Sequence, residues 1–362
     1  MYILIAILLL AILIVAHEFG HFTAARLMKI DVTEFSIGFG PRLLGWKSRK
    51  HETRFSLRAI PLGGYCAFFG EDDAKGITKD DPRAFANHNV WKRMFVILMG
   101  PVMNFVLAFI VTLVFIWCVG ITVPVDNEYY PYITETVEGG AAREAGMEGR
   151  AIVLEINGQS MQKTTGEDAV TAFQNAVQGW QEGDEPLRIV LQRDGETAEY
   201  TLTPAWDEEA GRRMVGVMLT QGQQTTRIRV GVGEGIRNAW EICVDAGGTI
   251  IRVFKDLVAS GDVLKEASGP VGIVSYVSEQ VQTDGIYAFV DLLIVISINL
   301  GLMNLLPIPG LDGSRLVFGI IEVIRRKPIP QEKEAVVHLV GMALLFGLMI
   351  FFTYKDIVKL IH

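Results

Sequence analysis

Four stretches of this chain, residues 2–27, 94–119, 286–306 and 336–354, are apolar for long enough to demand lipid rather than a water-facing core. A helix that crosses a bilayer needs about 20 predominantly apolar residues, and each stretch supplies them. We read each as a membrane span, which excludes a soluble single-core fold. The composition agrees, with half of the 362 residues hydrophobic, 20% charged and a mean hydropathy of +0.32. A net charge of −8 argues against nucleic acid as the partner. Cys66, Cys118 and Cys243 are odd in number and far apart, so they make neither a disulfide framework nor a CxxC site. The first stretch is not read as a cleaved signal, because no positive charge precedes it and it runs into a polar motif.

Charge sets the expected orientation. Residues 23–93 carry 13 Lys/Arg against 8 Asp/Glu, whereas residues 120–285 carry 13 against 26. Near the span ends, Arg26, Lys29, Lys92, Arg93, Arg325, Arg326, Lys327 and Lys333 all fall on one side of a four-span topology. By the positive-inside rule that side is cytoplasmic, which puts both termini and the acidic middle segment outside.

Between the spans, residues 124–220 read as a small α/β module. The signals are a strand over 151–156, the turn pair Asn157-Gly158, a helix over 167–177, and a hairpin at Asp194-Gly195 between 187–191 and 200–202. The string AAREAGMEGRAIVLEINGQSM resembles the core of bacterial PDZ domains, with Arg150 where those usually carry Asp. In the circularly permuted order of such modules, a last strand over 214–219 lies beside the helix and accepts an extended peptide as an added strand; a small domain serving only as a steric plug is the alternative. Farther on, Ile236, Trp240, Cys243, Gly247, Ile250, Phe254 and Leu257 recur at helical spacing with charges between them. This predicts an amphipathic helix, either on the outer membrane surface or packed on the spans. On the other side, residues 35–41 and 54–65 predict a Gly-rich hairpin with a basic tip at Lys47, Arg49 and Lys50, dipping toward the lipid.

The first span contains His17, Glu18 and His21 in the context AHEFGHF. Residues four apart share a helical face, so the two imidazoles are placed to bind one metal with Glu18 beside its water. HExxH alone is weak evidence, but three ionisable groups inside a lipid-spanning helix are costly and point to function. The other histidines, His51, His88, His338 and His362, are read as unrelated to it. A zinc ion held by two histidines with an open position takes a third protein ligand. The third span offers Asp312 in NLLPIPGLDG, where two prolines and two glycines break the helix. The competing reading makes Asp312 an N-cap for a helix over 314–324. Depth favours convergence: about fifteen apolar residues, roughly 22 Å of helix, precede His17, while GPVMN (100–104) in the second span and Asn304 to Asp312 in the third reach a similar level.

HEFGH, GPVMN and NLLPIPGLDG, with a PDZ-like segment between them and SGPVGI (268–273) before the third span, resemble the site-2 protease family of intramembrane zinc metalloproteases, in its bacterial RseP-type branch. The resemblance covers the whole chain, with one PDZ-like domain where well-known members have two. It implies a polytopic α-helical membrane protein of four transmembrane helices with a membrane-associated β-hairpin and an inserted α/β PDZ-like domain. The expected divisions are 1–28, 29–92, 93–121, 122–222, 223–284, 285–335 and 336–358. It further implies His17, His21 and Asp312 as Zn2+ ligands, Glu18 as general base, and Asn304, Asn104, Pro307 and Pro309 as substrate-binding positions. The expected reaction is hydrolysis within transmembrane segments of pre-trimmed single-span proteins, such as anti-sigma factors or signal-peptide remnants, in a bacterial inner membrane. Such a segment must unwind, and residues 37–39 and 56–60 of the hairpin are the expected place for it to pair as an added strand. The rival class is a membrane-anchored PDZ scaffold without protease activity; a metal transporter is disfavoured because no paired halves are visible.

Overall fold

The computed structural model describes residues 2–48, 52–71, 81–147, 149–193, 195–208, 210–261 and 269–361. Arg49, Lys50, His51, Asp194, Ser268 and His362 therefore lie outside the described residues. The chain forms two compact units, Met1–Cys118 with Val230–His362, and Val119–Arg229.

In the first unit, α1 (Tyr2–Met28) and α2 (Val90–Val119) are followed, after the second unit, by α5 (Val232–Ser260), α6 (Pro270–Asn304), α7 (Asp312–Arg325) and α8 (Gln331–Ile361). Among the described residues, four helices are long and apolar enough to cross a membrane: α1, α2, α6, and residues Glu332–Val358 of α8. Ala6, Leu9 and Leu13 of α1 pack against Val277, Val281, Ala288 and Leu293 of α6. The third span starts earlier than its apolar run suggests, because α6 continues back to Pro270 through a non-helical kink at Gly285. Its N-terminus is tied to α8, where the buried Asp356 carboxylate accepts the Gly269 and Gly272 N–H groups at 2.9 and 2.7 Å. Both glycines are required there, since an added Cβ would meet Asp356 at 2.9 Å.

The amphipathic helix α5 packs on the spans. Cys243, Ala246 and Ile250 join Ala108 of α2 and Ile294 and Ile298 of α6 in one apolar cluster, and Gly235 makes room for the Trp117 ring. Ile236, Trp240, Ile251 and Val258 stay exposed on another face, the pattern of a helix with one side on protein and one on lipid.

Between α1 and α2, β1 (Val32–Lys47) and β2 (Arg54–Phe68) are long strands that fold back on themselves. Glu34 to Ile37 pair with Arg54 to Leu57 on one edge and with Ala67 to Gly64 on the other, while Leu44 to Lys47 pair with Leu57 to Arg54. The hairpin is thus a four-stranded sheet in the order 42–47, 54–60, 32–39, 64–68. The bend uses Gly38 and Gly40, both at positive φ (86° and 81°), where a Cβ is penalised. Arg58 fastens it by donating to Glu34 Oε1 (2.8 Å), Tyr65 Oη (2.5 Å), Ser36 Oγ (3.0 Å) and the Gly40 carbonyl (2.8 Å). This corrects the expected docking place: Ile37 and Ser56 already have partners on both edges, and among the described residues the outer strands of the sheet are 42–47 and 64–68.

In the second unit, the main sheet has the order β10 (Val217–Ile228), β3 (Ile121–Thr136), β4 (Ala151–Ile156), β6 (Leu187–Arg193), β7 (Glu196–Leu202), with β5 (Gln159–Ser160) paired to β4. Asn157 and Gly158, both at positive φ, make the β4–β5 turn. A separate pair, β8 (Ala205–Asp207) and β9 (Arg212–Met214), takes Met214 out of the expected last strand. The short α3 (Ala141–Glu144) and α4 (Gly166–Gln178) complete the unit. Thr165 caps α4 by accepting the Asp168 N–H at 3.3 Å, and Phe173 and Val177 pack into a core with Ile133, Val153, Ile156 and Ile189. The edge strand β10 lies beside α4, close enough that a Cβ at Gly166 would overlap the Gln221 side chain.

Candidate metal centre

The spacing of HExxH places His17 and His21 one above the other on α1, and the structure brings Asp312 to the same point. Asp312 Oδ2 lies 3.1 Å from His17 Nε2 and 3.3 Å from His21 Nε2, and the two Nε2 atoms are 3.3 Å apart. All three ligand atoms lie within 4.8 Å of one another. Beyond the two imidazoles the buried Oδ2 has no hydrogen-bond partner among the described residues. Two nitrogens and a carboxylate oxygen aimed at one point make a donor set that fits zinc.

The alternative role for Asp312, capping the following helix, is not what the side chain does. Helix α6 ends at Asn304, the Pro/Gly segment 305–311 is non-helical, and α7 opens with Leu311 at the N-cap and no side-chain capping bond. Asp312 sits in the first turn of α7, which leaves its carboxylate free to turn toward the histidines. Gly310, at φ 99°, packs on α8 near Leu345, so the break also fixes the start of α7.

Helix α2 supplies the surroundings. Its Val96 carbonyl accepts His21 Nδ1–H at 2.9 Å, which leaves Nε2 free for the site. A Cβ at Gly100 would overlap the His21 ring. Pro101 lies inside α2. Asn104 is fully buried, its carboxamide 3.3 Å from His17 Nδ1, and its backbone carbonyl accepts Ser297 Oγ–H from α6 at 2.8 Å.

The three ligand atoms face a cavity of about 1140 Å³. Glu18 lines it with His17, His21 and Asp312, and so do Asn304 and the hairpin residues from Gly63 to Phe68. The approach is tight: a Cβ at Gly64 would come within 3.2 Å of Glu18 Cγ. Pro307 and Pro309 are not in that wall; Pro307 is exposed and Pro309 packs on Gly341 of α8.

Two ion pairs hold the helix that carries Asp312, and neither was expected from the sequence. Arg315 bonds to Glu71, which follows the outer strand 64–68 and also accepts the Phe68 N–H at 3.2 Å. Arg93 of α2 makes a two-pronged contact with Glu322 at 2.6 and 2.7 Å. Arg315 stands three residues after Asp312, a helical-face signal that could have been read; its partner, 244 residues away, had no such signal. His338 faces Glu334 at 3.7 Å in the same cavity, and His88 takes no part in the metal cluster.

The sequence profile of peptidase family M50 matches residues 5–348 of the chain. The chain is similar to the zinc metalloprotease RasP of Bacillus licheniformis, with 31% identity over 435 aligned positions that cover 98% of each protein. It is likewise similar to the regulator of sigma-W protease RasP of Bacillus subtilis, at 28% identity, covering 98% of this chain and 97% of that one.

Proposed function

The chain belongs to peptidase family M50, the site-2 proteases, and is an intramembrane zinc metalloprotease of regulated proteolysis; from that premise we propose that His17, His21 and Asp312 hold the zinc and that Glu18 is the general base. The observation that carries the assignment is the convergence of His17 Nε2, His21 Nε2 and Asp312 Oδ2 beside Glu18 in one cavity. Bound there, zinc supplies Lewis acidity, polarising a scissile carbonyl and making water acidic enough to react near neutral pH. Glu18, one helical step from His17, takes the proton of the attacking water and returns it to the departing amine. Val96 and Gly100 keep the His21 ring in place, while Arg315 and Arg93 keep α7 and its Asp312 against the histidines.

Substrate enters as an unwound strand. The outer strand 64–68 borders the same cavity as Glu18 and offers main-chain pairing to a peptide that has left its own helix. Asn304 faces that cavity and contacts the substrate backbone, whereas Pro307 and Pro309 serve by stopping α6 so that Asp312 can turn inward. The substrates are single-span membrane proteins already trimmed outside, anti-sigma factors among them, with signal-peptide remnants as a further class; the similarity to the regulator of sigma-W protease of Bacillus subtilis supports this choice.

The Lys/Arg distribution supports a cytoplasmic position for residues 29–92 and 305–335 in a bacterial inner membrane, with both termini and residues 122–222 outside. The edge strand β10 beside α4 supports reading that outer unit as a PDZ-like domain whose groove filters out substrates that are still bulky. The purified protein on a single-span substrate provides the test. Glu18→Gln should retain zinc and lose cleavage; cleavage at the wild-type rate by that variant would refute the assignment.

A further inference from the structure

We propose that Asn104 is a positioning residue of the metal centre, which sets the tautomer of His17 through its amide oxygen and makes no contact with substrate. The proposal rests on the zinc-site reading above and goes beyond it by separating Asn104 from the substrate-binding positions. It also gives the GPVMN segment one purpose: Gly100 makes room for His21, and Asn104 orients His17.

A neutral imidazole carries one proton, and a ring that offers Nε2 to a metal must carry it on Nδ1. For His21 that proton has an acceptor, the Val96 carbonyl at 2.9 Å. For His17 the group in reach of Nδ1 is the Asn104 carboxamide, at 3.3 Å. Asn104 Nδ2 lies at Nδ1, and the buried Oδ1 has no partner among the described residues. The two ends of a carboxamide have the same shape, and the hydrogen-bond network decides which is which. A half-turn of the amide places Oδ1 against Nδ1–H, and this is the orientation that a metal on Nε2 requires.

Burial sets the role. Asn104 borders the same cavity as His17 and Asn304 but has no exposed surface, and its carboxamide stands at Nδ1 of His17, the ring nitrogen turned away from Asp312, so it backs the imidazole rather than a peptide. Its backbone carbonyl, held by Ser297 Oγ from α6, fixes the amide between two spans. Partners of this kind behind a metal-bound histidine contribute roughly 10- to 100-fold to metal affinity or activity.

Zinc affinity is to be measured by chelator competition on the full-length protein in detergent, for wild type, Asn104→Ala, Asn104→Asp and His21→Ala, alongside kcat and KM at saturating zinc. Asn104→Ala is expected to weaken zinc binding by about 10- to 100-fold and to lower kcat with KM unchanged. Asn104→Asp, whose carboxylate also accepts Nδ1–H, is expected to restore the affinity and to show whether loss in the alanine variant is a folding failure. A cobalt-substituted protein should change its visible spectrum in Asn104→Ala and regain it in Asn104→Asp. Wild-type zinc affinity with a raised KM in Asn104→Ala would overturn the proposal and return Asn104 to the substrate. Absence of zinc binding in wild type, or unchanged binding in His21→Ala, would instead remove the zinc-site reading beneath it.

Discussion

Gly100 of α2 faces the His21 imidazole so closely that no side chain fits between them. The position needs glycine for space and not for backbone freedom, since it lies inside a regular helix. Gly100→Ala should therefore displace His21, the proposed zinc ligand. Overpacking of this kind costs about 1–3 kcal/mol, and the strain can be relieved only by moving the ring or the helix. Bound zinc measured after gel filtration should fall at least about tenfold, in line with the loss of a well-placed ligand partner. Full zinc occupancy in this variant would show that α1 and α2 slide apart at no cost to the site.

Asp312 carries no capping bond in α7, which separates its two possible roles experimentally. A capping Asp replaced by Ala costs about 1 kcal/mol of stability. In Asp312→Ala the zinc-free protein should keep its thermal midpoint while metal binding and cleavage are lost. A chelator should abolish activity of the wild type in the same way, with return on adding zinc.

The clasp between α8 and α6 predicts a stability effect away from the metal. Asp356 accepts two N–H groups at the start of α6, and charge-assisted bonds contribute about 1.5–3 kcal/mol each. Asp356→Ala should lower the thermal midpoint in detergent while leaving zinc affinity unchanged. Gly272→Ala should have the same outcome by a steric route, since its Cβ would press on the carboxylate at 2.9 Å.

The hairpin predicts a pH effect. Burial pushes the Glu34 carboxyl up, but the bonds from Ser56, Arg58 and Tyr65 outweigh it and hold Glu34 below the usual glutamate value of 4.5. A lowered folded-state value stabilises the fold above the unfolded value, and that contribution is lost as pH falls through the folded one. The hydrogen-exchange protection of residues 36–40, taken against the intrinsic rate at each pH, should therefore fall below about pH 4 in wild type. Arg58→Lys, which keeps the charge but loses the fork, should show faster exchange already at neutral pH.

Local pattern explains why His17, Glu18, His21 and Asp312 were legible in the sequence. HExxH declares a helical face, and the prolines and glycines of 307–313 announce the break that frees Asp312. Strand alternation likewise exposed the hairpin, yet it could not show that residues 34–37 are paired on both edges, because alternation assigns faces and not neighbours. The docking place expected at 37–39 and 56–60 thus gives way to the outer strand 64–68, which borders the cavity. Glu71 with Arg315 and Arg93 with Glu322 were invisible for a related reason: partners 244 and 229 residues apart leave no periodic trace. Asn104 was noticed for its polarity and depth, but its nearness to Nδ1 of one imidazole follows only from how α1 and α2 pack.

The metal centre joins the first helix of the chain to a short helix near the end of it. Ribosomes make His17 and His21 early, and Asp312 emerges only after both intervening spans and the whole of the second unit. The proposed third ligand is thus missing throughout most of synthesis and insertion. On the proposed ligand set, a nascent chain entering the bilayer therefore lacks a complete zinc site until its own assembly is nearly finished.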